Sequence, residues 1–113
     1  MKTWDDWSDF EVCFKVVELL GLRTCEGQHY KPRVACWDEN GFIIKFDINS
    51  WSDMGPLIVE NRIAIAPHPL RDDSRGVWMC LGRDGYGNRF TKDGTNPLRA
   101  AAIVFLMMNG VKP

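Results

Sequence analysis

The sequence predicts an α+β fold. One domain covers residues 1–113: a sandwich of a small antiparallel sheet of about four strands with three helices, the C-terminal helix buried. Three observations predict it. Apolar residues recur at helical spacing near the start of the chain, and strand-like runs lie on either side of a short or bent helix in the middle. "DENG" at 38–41 separates two such runs with an Asn-Gly pair, the signature of an antiparallel hairpin. "NPLRAAAIVFLMMNG" at 96–110 sets nine apolar residues in a row after Arg99, between a helix start and a helix stop.

The first helix opens on a capping box, with Ser8 as N-cap and Glu11 three residues on. Trp7 and Val12 stand where a hydrophobic staple would form. Phe10, Cys13, Phe14, Val17 and Leu20 then follow at helical spacing until Gly21 ends the helix. "TCEGQHYKP" reads as a loop. "RVACW" and "FIIKFDI" read as the two arms of the hairpin, with Phe42, Ile44, Phe46 and Ile48 on one face and Ile43, Lys45 and Asp47 on the other. Ser50 and Asp53 fit a second capping box. Gly55-Pro56 is expected to kink or interrupt the short helix over about 51–61 that follows. "RIAIA" is a short strand stopped by "PHP", "DDSRG" a turn and "VWMCLG" another strand. "RDGYGNRFTKDGT" is a loop or an irregular second hairpin, with Arg89 to Thr91 as a possible last strand. No internal repeat or linker stands out.

The last helix is too short to cross a membrane. Residues 97–109 would span about 20 Å against a bilayer core of about 30 Å. Asn96 suits the N-cap, Pro97 the first helical position and Gly110 the left-handed position after the helix. A helix apolar nearly all round, with Arg99 its only charge, belongs in a core.

The formal net charge of −1 argues against a general nucleic-acid binder and against an acidic mimic of DNA. The first residues, "MKTWDDWSDF", carry acids where a secretory leader would be basic and then apolar. Four cysteines, at 13, 25, 36 and 80, include no C-x-x-C pair. The expectation is a cytosolic protein with reduced thiols, away from the membrane.

No catalytic, cofactor-binding or metal-ligating motif stands out, so no enzyme activity is expected. "GRDGYGNRF" at 82–90 is the most function-like segment. Arg83, Tyr86 and Arg89 could offer two cations and a ring to an anionic or planar ligand such as a nucleotide, with amides around Gly85 and Gly87 meeting phosphate. The simpler reading is a glycine-rich turn, since this is not a P-loop. Cys25 and His29 lack the partner pair that a zinc site needs. Of the five tryptophans, Trp37 and Trp78 fall in strands and read as core, and Trp7 as the staple. Trp4 and Trp51 are the candidates for exposed anchors of a protein partner.

"WSDFEVCFKVVELLGL" near the start, "WSDMGPLIVENRIAI" in the middle and "NPLRAAAIVFLMM" at the end resemble, in that order, the NinX-like proteins of lambdoid phages and prophages. More loosely they resemble a phage family named for an α–β–α sandwich domain. The resemblance implies a compact α+β sandwich encoded in a phage accessory region, and it supplies no active-site residues. Taken together, these readings lead to an accessory protein that binds a host or phage protein. The alternative is a binder of a nucleotide or cyclic nucleotide at 82–90. A homodimer is also open, because an apolar helix surplus to one small core could be shared across a two-fold axis.

Overall fold

The computed structural model describes residues 2–25, 31–68 and 76–113. After a 3-10 turn at Trp4–Asp6 come α1 (Asp9–Leu19), β1 (Arg23–Thr24), β2 (Val34–Trp37), β3 (Ile43–Phe46) and α2 (Trp51–Glu60). Then follow β4 (Ala64–Pro67), β5 (Trp78–Arg83), β6 (Arg89–Gly94) and α3 (Pro97–Met108). The strands form two three-stranded antiparallel sheets, ordered β1-β2-β3 and β4-β5-β6. This corrects the expected single sheet of about four strands. Helix α2 separates β3 from β4, so each hairpin pairs only within its own half of the chain. The strand that sequence reading missed is β1, two residues long on the edge of its sheet and set in a polar stretch with no apolar rhythm.

Both hairpins close on the same turn. In the first, Asp38 N–H donates to the Phe42 carbonyl (2.8 Å) and Gly41 N–H to the Asp38 carbonyl (3.1 Å). Asp38 Oδ1 accepts from Asn40 N (2.9 Å) and Phe42 N (2.8 Å). In the second, Asp84 pairs with Asn88 in the same way. Its Oδ1 accepts from Tyr86 N and Asn88 N, both at 2.9 Å. Gly41 and Gly87 take φ of +83° and +85°, the left-handed residue of a three-residue hairpin loop. Asn40 does not share that conformation, because among the described residues Arg62 is the one non-glycine with positive φ. In each half the helix N-cap lies twelve residues after the hairpin aspartate, at Ser50 and at Asn96. The two halves thus repeat one unit, hairpin then helix, although their sequences share little beyond Asp and Gly at the turn.

All three helices end in the same way. The N–H groups of Leu22, Ile63 and Val111 reach back to the carbonyls of Val17, Ile58 and Leu106. The N–H groups of Gly21, Arg62 and Gly110 reach Glu18, Val59 and Met107. This double bond pattern requires a left-handed residue, which is glycine in α1 and α3. In α2 it is Arg62, at φ +51°. At the other end, the Ser8–Glu11 capping box forms in α1 (3.0 and 3.1 Å), and Asn96 Oδ1 accepts from Leu98 and Arg99 N–H in α3. The expected box at Ser50–Asp53 does not form. Asp53 Oδ2 instead accepts from the backbone of Asp47 (3.0 Å), ahead of the helix. Pro56 does not interrupt α2. It stands on the outward side with Ser52, whose carbonyl loses its helical donor where water can replace it.

Val12, Cys13, Val16 and Val17 form the buried face of α1, which meets both β1-β2 and α3. Helix α3 lies along β5 and β6 and also touches α1 and α2. Its residues Ala100 to Leu106 are all buried, with Ile103 at 1% and Leu106 at 0% exposure. Val34, Cys36, Phe46, Ile48, Met54 and Leu57 join them in one continuous core. Arg99, the charge on α3, ties this core to the N-terminus. It donates to Asp9 Oδ1 (2.7 Å) and to the carbonyls of Trp4 and Trp7. Asn49 Nδ2 also reaches Asp9 (3.2 Å), and Asn96 Nδ2 reaches Asn49 (2.6 Å). The N-terminal ends of all three helices are therefore knotted by one polar cluster with an acid at its centre, the charge that helix N-termini favour.

Candidate functional site

At the opposite ends of α2 and α3 lies a cleft of about 540 Å³. The final turns of the two helices form one side and the start of the second hairpin the other. Leu81 and Met108 supply apolar lining, Arg62, Arg83, Glu60 and Asp84 the charges. Gly82 lets the walls come together: a Cβ there would overlap Met108 and stand 2.8 Å from Val104 Cγ1. A glycine in a strand is otherwise unfavourable, and close approach of another element is the usual reason to keep one.

The register explains why the arginines gather. Arg83 lies directly across from Arg89 on β5–β6, so the two side chains share a face of the sheet. On the other side Ala64 pairs with Leu81. Arg62, just ahead of β4 and outside the ladder, lines the same cleft as Arg83. Arg62 and Arg83 thus meet in the cleft, with Arg89 across the hairpin from Arg83. Among the described residues none of the three side chains makes an ion pair or a hydrogen bond. Asp84, in the same cleft, has its oxygens engaged by the turn. Hydrogen bonds from the Asn88 side chain first, and from backbone N–H groups, hold its carboxyl below the usual range.

Of the residues singled out from sequence, Arg83 and Arg89 are brought together. Tyr86 stands apart at the hairpin tip, 93% exposed. Of the amides near it, Gly87 N–H and Tyr86 N–H are bound to Asp84 and are not available to a phosphate. Trp4 is half-buried in the N-terminal packing, its ring 5.0 Å from that of Trp7 and its carbonyl held by Arg99. Trp37 is not core: it is 37% exposed beside Ile43 on the outer face of its sheet. Phe42 falls in the turn rather than on the buried strand face and is exposed. Arg62 was missed, since its place beside Arg83 depends on pairing between β4 and β5, which no local pattern reveals.

Trp51 is the remaining sequence candidate, and it is 59% exposed on α2. Val59, two turns on, is 76% exposed. At 100° per residue, Trp51, Ser52, Gly55, Pro56 and Val59 fall on one arc of the helix, opposite the buried Met54, Leu57 and Ile58. That outward arc carries no charge.

Cys13 and Cys80 are buried thiols. Burial pushes them up to about 12 and about 11, which keeps them protonated and unreactive at neutral pH. Among the described residues no three His, Cys, Asp or Glu side chains gather as metal ligands, and no helix is long and apolar enough to cross a membrane. His29 lies outside the described residues. No protein-family model matches the chain, and no curated protein does.

Proposed function

We propose that this chain is a NinX-like phage accessory protein that works in the bacterial cytoplasm by binding a host or phage protein. The outward face of α2 is the contact. The carrying observation is the pairing of Trp51 and Val59, 59% and 76% exposed on one uncharged helix arc. Covering a tryptophan removes about 150–250 Å² of surface from water when burial is complete. For the exposed part of Trp51 alone, at about 25 cal/mol per Å², that favours association by roughly 2–4 kcal/mol. Tryptophan is also the residue most often found at the energetic centre of protein interfaces. The order of the three resembling segments along the chain supports the phage assignment.

The test is quantitative affinity capture from infected cells with the native protein and a Trp51→Ser/Val59→Ser variant. The native protein should retain one partner in stoichiometric amount, and the variant should lose it while melting at the native temperature. A partner kept equally by both, or none across several hosts, rejects the reading.

A further inference from the structure

The geometry points to a second binding site: the cleft between the C-terminal ends of α2 and α3 binds a small oxyanion of low charge, a carboxylate or phosphate carried on an apolar body. This goes beyond the protein-binding reading and uses a different surface. Two independent features of the chain disfavour folding at this one place. Arg62 holds a left-handed backbone where the other two helices use glycine, a conformation unfavourable for any residue with a Cβ. Arg83 and Arg89 face each other across the hairpin and, among the described residues, neither forms an ion pair, an arrangement that destabilises a sheet. Both features present guanidinium groups at one end of the sheet, and Arg62 and Arg83 line the same cavity. An oxyanion relieves the repulsion between these groups. The planar fork of arginine matches carboxylate or phosphate with two parallel hydrogen bonds.

The rest of the lining narrows the ligand. Glu60 and Asp84 bring formal negative charge that offsets the two arginines, so a polyphosphate is disfavoured. Asp84 has its oxygens occupied in the turn, which leaves the guanidinium groups as the free donors. Leu81 and Met108 give an apolar body something to rest on. A cavity of about 540 Å³ suits a small organic molecule rather than a bare ion.

Benzoate and phenyl phosphate serve as probes, with benzyl alcohol as the neutral control. They are titrated at physiological salt while the arginine Nε–H resonances are followed by NMR. Arg62→Gly and Arg83→Gln are compared with the native protein. At least one anion should saturate the site and shift Arg62 and Arg83 together, and which anion does so identifies the headgroup. Each variant should bind at least tenfold more weakly. Arg62→Gly should at the same time melt higher than the native protein, which separates loss of a ligand from loss of fold. Absence of saturation by either anion up to 20 mM, equal binding of benzyl alcohol, or a loss below threefold in the variants overturns the proposal.

Discussion

The substitution Gly82→Ala puts a methyl group where β5 and α3 meet. The added Cβ overlaps Met108, whose long side chain can swing away. It also stands 2.8 Å from Val104 Cγ1. Val104 is fully buried and branched at Cβ, so it has no free rotamer to adopt. Ordinary contact begins near 3.4 Å, so helix and strand must part by roughly 0.6 Å. Overpacking of this kind typically costs about 1–3 kcal/mol. Replacing glycine by alanine inside a strand returns about 0.5–1 kcal/mol. The net expectation is a loss of about 1–2 kcal/mol, or roughly 4–8 °C in melting temperature for a chain of this length.

Gly85→Ala is the control. Nothing lies within 4 Å of its added Cβ and its φ is not positive, so it should be neutral or stabilising by up to about 1 kcal/mol. Urea denaturation of both variants and of Gly82→Ala/Val104→Ala measures the coupling. Removing Cγ1 should relieve about 1 kcal/mol or more of the alanine penalty. A Gly82→Ala protein as stable as the native one, or a double variant whose losses simply add, refutes the close approach that shapes the cleft.

Three further outcomes are expected. Arg99→Leu should lower stability by about 2–3 kcal/mol in urea denaturation, since it strands Asp9 and two carbonyls in a half-buried setting; Arg99→Lys should recover little of this, because the three donors of an ammonium radiate from one nitrogen and do not reproduce the planar fork, which reaches Asp9 through one terminal nitrogen and the two carbonyls through the other. Glu11 is held down to about 2 by the Lys2 ammonium first and by Ser8 N–H next. A folded pKa below the ordinary 4.5 means that this stabilisation is complete above about 4.5 and fades as pH falls toward 2, so the melting temperatures of native protein and Glu11→Gln should converge across that interval. Cys13 and Cys80 should resist iodoacetamide at pH 8 in the folded protein and react in urea, as read by intact-mass spectrometry, because burial raises both thiols well above that pH.

Local chemistry was legible in the sequence and long-range pairing was not. Ser8 with Glu11, Asn96 with Pro97, and the glycines at 21 and 110 mark helix ends because each acts on backbone groups within four residues of itself. The Asn40-Gly41 pair identified the first hairpin, although its aspartate proved to be the anchor and Asn40 kept a negative φ. The Ser50–Asp53 box misled because Asp53 accepts instead from the backbone N–H of Asp47. Two sheets instead of one, the exposure of Trp37 and the placing of Arg62 beside Arg83 all depend on which elements meet, and residues far apart in the chain decide that. Two of the three arginines were readable, as Arg83 and Arg89 flanking one turn. The third, Arg62, is brought beside Arg83 by the pairing of β4 with β5.

The repeated hairpin–helix unit gives the α2 surface its meaning. Helices α2 and α3 occupy equivalent places after equivalent turns; α2 carries Asp53 and Glu60 on one side, whereas α3 is apolar on nearly every side. Such a helix is stable in water only where neighbours cover it. Helix α3 has them: β5 and β6 along its length, with α1 and α2 beside it. Helix α2 leans mainly on α3 through Met54, Leu57 and Ile58, and its opposite arc, from Trp51 to Val59, remains open. A surface helix that needed only solubility would carry lysine and glutamate there, at no loss to the core. That the arc instead holds tryptophan, serine, glycine, proline and valine, with no charge, is the difference between the two halves that packing within this chain does not explain, and a partner protein on α2 would supply what the sheet supplies to α3.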